Sequence, residues 1–404
     1  MSSKSYCPRR LLRVVSNGLL QDMFDLLCIE IDVEWDSVTE TRIEPVFIAW
    51  QSLDDEPRRK VELLLREVDS MASEVGLRAI FEEAHRQGET ELIEELSQYD
   101  SRYDVAMWTA LKKANVWETA MLLNRADRKL GGRFSQRRIN VPVTAKPNGS
   151  AETMRSLSKS LSAFFTLRQG RGRNCECEYL LRSDGTHYVF ATLDDYRRQY
   201  LRLVDGGGFA KSCETPAFEV IFAFDEKNRT LDIDARGGKS VHQPLQSIIA
   251  REFLGINLPP EDPRSQPFML DVLLDPTFRF PTDPADGICS LCVEEAGVRV
   301  LGTKDRMNLK PGSREEPTNF SEMVEKYFDD AKVPRSVMQV LRAVLLFSVE
   351  DSDGRVRDFD VRITQPNRSN LKSLSQDERE LAEKYLREWG IDCAIASDAV
   401  VAAA

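Results

Sequence analysis

The stretch AFEVIFAFDEKNRTLDID, residues 217–234, carries the clearest structural signal in the chain. Its first half has phenylalanine or valine at every second position from 218 to 224, and its second half keeps the same period. Side chains that repeat every two residues line one face of a β-strand. The polar residues EKNR, at 226–229, separate the two halves. The stretch therefore predicts a β-hairpin with one apolar face.

The sequence after this hairpin mixes helices and strands. SVHQ at 240–243 has the form of a capping box, and the apolar residues beyond it predict a helix that ends at Gly255. A second capping box, SQDE at 375–378, precedes a last helix that ends at Gly390. Between these two helices we predict strands at 268–274, 288–301, 344–349 and 356–363, and a helix at 319–328.

The sequence before the hairpin is mostly of helical period, with one long amphipathic helix predicted from Pro57 to Gly76. Alternation at 28–35 predicts a short strand, and the Gly- and Pro-containing residues 127–150 predict an irregular, largely exposed connector. The fold class expected is α+β and multidomain, a helical N-terminal region followed by two strand-rich units, each with capping helices. The predicted domains are 1–125, 126–262 and 263–404.

The overall composition is that of a globular protein. Of 404 residues, 42% are hydrophobic and 30% are charged, which excludes a disordered or fibrous chain. No run of apolar residues is long enough for a transmembrane helix, and eight cysteines are too few for a disulfide scaffold. We therefore expect a cytoplasmic protein with no membrane partner. The net charge of −11 argues against a protein whose whole surface binds a polyanion.

The charge is unevenly distributed along the chain. Residues 1–120 hold 14 Lys and Arg against 24 Asp and Glu, whereas residues 121–175 hold 12 basic residues and two acidic ones. Basic clusters neutralise phosphate backbones, and an aromatic ring among them can stack on an unpaired base. The sequence thus predicts a non-catalytic binding subunit that contacts nucleic acid or another polyanion through residues 125–173, within a larger complex of protein subunits. The candidate contact residues are Arg125, Arg128, Lys129, Arg133, Phe134, Arg137, Arg138, Lys159, Arg168, Arg171 and Arg173.

A second hypothesis explains the same charges without nucleic acid. The basic segment can pair with the acidic regions, within the chain or between subunits, as complementary surfaces do in a scaffold protein. A salt-sensitive oligomer that does not bind nucleic acid is the expected behaviour in that case.

The segment RGGKS, residues 236–240, lies between a predicted strand and a predicted helix, where phosphate-binding loops occur. The full phosphate-loop pattern requires a glycine at position 233, which is isoleucine here. A tight turn in which Ser240 caps the following helix accounts for all five residues. We therefore favour the turn over a nucleotide site.

A third hypothesis is a metal-dependent hydrolase of the nuclease kind, with Glu219, Asp232 and Asp234 on adjacent strands. The alternation of the hairpin equally explains these carboxylates as its polar face. The cysteine pairs 175/177 and 289/292 are too far apart in sequence to indicate a zinc ribbon, and the three histidines lie in no catalytic motif. We assign no catalytic residue, no cofactor and no metal, and we favour a protein that is not an enzyme.

Overall fold

The fold is α+β, with helices at the N-terminal end and strands mixed with helices after it, as the sequence predicts. The chain divides into two units, Met1–Arg128 and Lys129–Ala404. The computed structural model describes residues 6–39, 42–96, 98–204, 207–261, 266–275, 277–310, 320–327, 333–350 and 354–393.

The N-terminal unit is built from helices in the ranges described. Its helices are α1 (Pro8–Val14), α2 (Asn17–Leu26), α3 (Glu44–Gln51), α4 (Asp55–Met71), α5 (Glu74–Arg86), α6 (Thr90–Leu96), α7 (Arg102–Lys112) and α8 (Ala114–Leu130).

Two predictions in this unit are wrong. The long helix expected to end at Gly76 ends at Met71, because Ser73 caps a new helix, α5, by accepting a hydrogen bond from the Gly76 amide. Residues 29–34 form no strand, although their side chains alternate. An alternating segment becomes a strand only where a neighbouring strand satisfies its backbone groups, and residues 29–34 pair with none in the described chain.

The C-terminal unit begins with a five-stranded antiparallel sheet whose strand order is β1-β7-β6-β3-β2. Two helices accompany this sheet, and a separate two-stranded ribbon is formed by β4 and β5. The elements are β1 (Ser135–Arg138), α9 (Ala151–Gln169), β2 (Cys175–Leu181), β3 (Thr186–Asp194), β4 (Arg198–Leu203), β5 (Phe209–Glu214), β6 (Ala217–Asp225), β7 (Thr230–Asp234) and α10 (Lys239–Glu252).

The hairpin predicted at 217–234 is confirmed as β6 and β7. Their ladder begins next to the turn, where Asp225 pairs with Thr230, and extends to the pair Ile221 and Asp234. Its apolar face forms the core of this sheet, where Phe222 and Ile233 pack with Leu161 of α9 and Leu245 of α10. The opposite face is not solvated as expected, since Asp232 and its neighbours on that face are buried as well. The hairpin is therefore covered on both sides, and its carboxylates need partners inside the protein.

The prediction of an irregular, exposed connector at 127–150 holds for the backbone of residues 139–150, which form neither helix nor strand, but it is wrong for the residues before them. The segment contains β1, which pairs with β7 as the edge strand of the sheet, and Ile139, Val141 and Ala145 after it are buried. A segment of four residues that includes two arginines is too short and too polar to show the alternation that predicts a strand. Pairing with β7 supplies the order that the local sequence lacks.

The second sheet of this unit is also antiparallel, with the order β12-β11-β10-β8-β9. The capping box at 375 is confirmed, because the Ser375 hydroxyl and the Glu378 carboxylate each accept a backbone amide hydrogen. Residues 271–274 form a 3₁₀ turn instead of the predicted strand. Residues 319 and 328, at the ends of the predicted helix, lie outside the described residues. The elements are β8 (Ile288–Val300), β9 (Arg306–Leu309), α11 (Phe320–Tyr327), β10 (Met338–Glu350), β11 (Val356–Thr364), β12 (Arg368–Ser369) and α12 (Gln376–Glu388).

Candidate polyanion-binding cleft

Two adjacent arginines on the edge strand β1 have opposite surroundings. In the ladder with β7, Arg137 lies opposite Asp232 and Arg138 lies opposite Leu231. Successive side chains of a strand point to opposite faces of the sheet. Arg137 therefore shares the face of the buried carboxylates, and Arg138 points to the side of α9 and α10.

The Arg137 guanidinium is neutralised inside the protein. Its Nε and Nη2 atoms donate to the two carboxylate oxygens of Asp232, at 2.9 and 3.2 Å, and both side chains are buried. Burial alone lowers the pKa of Arg137, but the charge and hydrogen bonds of Asp232 outweigh it and raise that pKa above its ordinary value. This arginine joins β1 to β7, and its charge is already compensated.

The Arg138 guanidinium has a weaker counter-charge. It donates through Nη2 to the Pro259 carbonyl at 3.0 Å, and its ion pair with Glu261 is long, at 3.9 Å. Only 10% of its side chain is exposed. Burial lowers the pKa of Arg138, and Glu261 offsets this only in part. A largely buried cation with weak compensation is a place where a bound anion is stabilising.

Helix α10 begins beside this arginine. Its N-cap is Gly238, and no side chain caps the helix, so the prediction that Ser240 is the cap is wrong. Gly237 has a φ of +138°, and a Cβ there would lie 2.4 Å from Cγ2 of Val241. The two glycines thus leave the first amides of the helix without a side chain over them. Lys239, the first helical residue, is exposed beside them.

Two adjoining cavities, of about 520 and 540 Å³, form one cleft along these groups. Both cavities are lined by Arg138, Lys239, Gln243, Pro259, Pro260 and Glu261. One cavity extends to Arg368 and the other to Arg168. Apart from Arg137, whose charge Asp232 compensates, the described lining therefore holds four cations and the single carboxylate of Glu261. We refer to this feature as the Arg138 cleft.

The other predicted contact residues lie outside the Arg138 cleft, and several of them bind neighbouring side chains. Arg128 donates to Ser70 and Ser73, Lys129 pairs with Glu219 at 2.8 Å, and Arg171 pairs with Asp195 at 2.7 Å. The Arg133 guanidinium lies over the ring of Phe134, 4.5 Å from its centroid. Arg125 is exposed on α8, and Lys159 and Arg173 line a separate open groove beside α9. Of the eleven predicted contact residues, the cleft brings together Arg137, Arg138 and Arg168.

Lys239 and Arg368 were not among the predicted contacts. Lys239 belongs to the RGGKS segment, so its position between a strand and a helix was a usable signal. Arg368 reaches the cleft because the second sheet lies against β1, where its Nη1 donates to the Arg133 carbonyl at 3.0 Å. A single arginine more than 200 residues from β1 carries no sequence signal for this position.

Two of the three carboxylates proposed for a hydrolase form ion pairs with basic side chains, and the third is buried. Glu219 pairs with Lys129, Asp232 pairs with Arg137, and burial raises the pKa of Asp234 to about 6. Within the described ranges, no group of three or more His, Cys, Asp or Glu side chains is arranged to hold a metal ion.

The cysteine pairs lie on two different sheets, Cys175 and Cys177 on β2 and Cys289 and Cys292 on β8. His242 uses its Nε2 to donate to the Ala235 carbonyl at 2.9 Å, and His187 shares a hydrogen bond of 2.9 Å with the Tyr179 hydroxyl. These two histidines hold neighbouring elements together.

Comparison with known proteins adds no further constraint. No model of a known protein family matches the chain, and no curated protein matches it significantly. Over the described residues, no helix is both long enough and apolar enough to cross a membrane.

Proposed function

We propose that this chain is a non-catalytic binding protein that holds phosphate groups of a nucleic acid or another polyanion in the Arg138 cleft. The observation that supports it most is Arg138 itself, a guanidinium with 10% of its side chain exposed and its carboxylate partner 3.9 Å away. A phosphate in the cleft supplies the counter-charge that Glu261 provides only weakly. Membership of a larger protein complex remains a prediction.

The chemistry of the lining favours phosphate over other anions. Guanidinium groups form paired hydrogen bonds with phosphate oxygens, and lysine adds a point charge. The N-terminus of α10 contributes the positive end of a helix dipole and amides that can donate to an anion. Guanidinium groups and a lysine therefore line one cleft, and the helix that carries Lys239 begins at its edge.

Internal pairing accounts for some basic residues of the segment, but it leaves Arg168 and Lys239 of the cleft without an ion pair among the described residues and Arg138 with only a long one. Lys129, Arg137 and Arg171 each have a carboxylate within 3 Å. Arg168 and Lys239 form no ion pair with any residue that the structure describes. Lys159 and Arg173 likewise form no ion pair with a described residue, but they line the separate groove beside α9, whereas the cleft combines such cations with the largely buried Arg138 guanidinium.

Fluorescence anisotropy with a labelled oligothymidylate and with labelled polyphosphate tests this function. Four phosphate contacts with a single strand predict that affinity for oligothymidylate falls roughly 50-fold between about 50 and 200 mM salt. We expect the double variant Arg168→Gln/Lys239→Gln to lower the slope of log affinity against log salt by about 1.5 to 2.

The matched control is Lys146→Gln/Arg155→Gln, which removes two exposed charges of the same segment outside the cleft. It should retain most of the salt slope. Binding that does not depend on salt, or equal losses in the two double variants, would overturn the proposal.

A further inference from the structure

The ribbon formed by β4 and β5 is an arm that extends the hairpin of β3 and β6. Strands β3 and β6 pair as far as Asp194 and Ala217, and the ribbon continues from Arg198 and Glu214. The ribbon joins neither five-stranded sheet. At about 3.3 Å per residue its six-residue strands span roughly 20 Å. Every described side chain of the two strands except Ser212 is exposed.

The two faces of the arm differ in chemistry. Arg198, Tyr200 and Arg202 alternate along one face, so a tyrosine that is 43% exposed lies between two arginines. The opposite face carries Leu201, Leu203 and Phe209, each about 70% exposed, together with Lys211 opposite Leu201. Exposed apolar residues concentrated in this way mark a contact surface.

The arm carries a net positive charge in a chain whose total is −11. The sequence of residues 196–214 contains Arg197, Arg198, Arg202 and Lys211, against the carboxylates of Asp205 and Glu214. This charge is complementary to a phosphate backbone.

Contacts at the base of the arm connect it to the Arg138 cleft. The Tyr196 hydroxyl donates to the Gln169 carbonyl, one residue after Arg168 of the cleft lining. Asp195 accepts from Arg171 at 2.7 Å and from Arg198 at 3.1 Å, which ties the 168–173 segment to the first residue of β4. The base of the arm is thus bonded to the segment that contributes Arg168 to the cleft lining.

We propose that the arm is a second contact for a single-stranded nucleic acid bound in the Arg138 cleft, an inference that rests on the proposed function. Arg198 and Arg202 contact phosphates, and an unpaired base stacks on Tyr200 between them. Bases inside a duplex are not available for such stacking, so single strands bind more tightly than duplexes. The arm thereby increases the affinity for single-stranded nucleic acid over that for simple polyanions, which bind in the cleft alone.

A second copy of the chain fits the arm less well. A stable dimer buries about 800 Å² on each partner. One face of the ribbon offers about six side chains on a strip roughly 20 Å long, well short of that area. Charge complementarity and continuity with the cleft favour nucleic acid.

The test compares Tyr200→Ala with Leu201→Ala in the full chain. Both residues are exposed on β4, but they lie on opposite faces of the arm. We expect Tyr200→Ala to weaken binding of labelled oligothymidylate about tenfold and to leave labelled polyphosphate binding unchanged. Leu201→Ala should leave both affinities unchanged. Circular dichroism confirms that both variants are folded.

Each other outcome overturns one proposal. If polyphosphate binds and Tyr200→Ala retains full affinity for oligothymidylate, or if a duplex of equal length binds as tightly, the arm proposal is wrong and the cleft proposal stands. If the wild-type chain binds neither probe, the proposed function itself is wrong. A Leu201→Ala variant that changes the mass measured by light scattering would identify the arm as a self-association surface and overturn its assignment to nucleic acid.

Discussion

At the scale of single residues, Arg137 and Arg138 show why a basic segment cannot be interpreted from its charge count. The sequence treats them as equivalent neighbours, yet one is paired with Asp232 and the other lies in a cleft with a carboxylate only at 3.9 Å. The difference arises from strand geometry, because β1 turns adjacent side chains to opposite faces. The sequence contained both arginines but did not predict the strand that separates them.

The first prediction concerns the buried Arg137–Asp232 pair. Arg137→Ala leaves the Asp232 carboxylate buried without its partner, so we expect the free energy of unfolding to fall by about 3–5 kcal/mol. Replacing both residues, as Arg137→Met/Asp232→Leu, removes both charges and should restore most of this loss. Urea denaturation followed by circular dichroism measures the three stabilities.

The control for this prediction is Arg133→Ala, which removes an exposed arginine of the same segment. Its cost should be below about 1 kcal/mol. If Arg137→Ala costs no more than this control, the pair does not stabilise the fold as described. The double replacement should also keep polyphosphate binding, since it leaves Arg138 unchanged.

At the scale of elements, prediction from the sequence succeeded where the pattern was long and failed where pairing decided the outcome. The hairpin of β6 and β7 and the capped helix α12 have strong local signals, and both are confirmed. The strand β1 has four residues, and its order comes from β7, almost 100 residues further along the chain. Residues 29–34 show the converse, because their side chains alternate but no strand among the described residues pairs with them.

The candidate site follows the same division. The charge pattern predicts Arg138 and Arg168 as contact residues, and the RGGKS segment contains Lys239. Their convergence on one cleft depends on the packing of β1, α9 and α10, and Arg368 arrives from the other sheet. No local pattern encodes such a convergence, because the distances are set by long-range packing.

The second prediction concerns the start of α10. Gly237 has a φ of +138°, and an added Cβ would meet the Val241 side chain at 2.4 Å, whereas a Cβ on Gly238 would have no atom within 4 Å. We expect Gly237→Ala to lower the free energy of unfolding by about 1–3 kcal/mol, since backbone strain and a steric contact add. Gly238→Ala should cost less than about 1 kcal/mol.

Polyphosphate binding reports on the same substitution. If the first turn of α10 helps to hold phosphate, Gly237→Ala should weaken binding at low salt under conditions where the protein remains folded. Thermal unfolding and anisotropy measured on the same samples distinguish the two effects. Equal stability losses at positions 237 and 238 would contradict the role given to Gly237.

At the scale of the whole molecule, the net charge of −11 is the sum of two unequal parts. Residues 1–128 hold 16 basic and 25 acidic residues, and residues 129–404 hold 39 and 41. The helical unit therefore carries a charge of −9, and the unit that contains the Arg138 cleft and the arm is nearly neutral, at −2. Total charge argues against polyanion binding only for the first of these units.

The third prediction follows from this division. Every residue of the Arg138 cleft and of the arm lies in the unit Lys129–Ala404, so we expect that unit, expressed alone, to fold and to bind oligothymidylate. Loss of nine negative charges removes long-range repulsion, and affinity at low salt should equal or exceed that of the full chain. The advantage should disappear near physiological salt, where the Debye length is about 8 Å.

The helical unit alone carries a net charge of −9 and should not bind oligothymidylate. If a folded 129–404 fragment loses binding that the full chain possesses, then residues such as Arg125 and Arg128 on α8 carry the contact, and the Arg138 cleft does not.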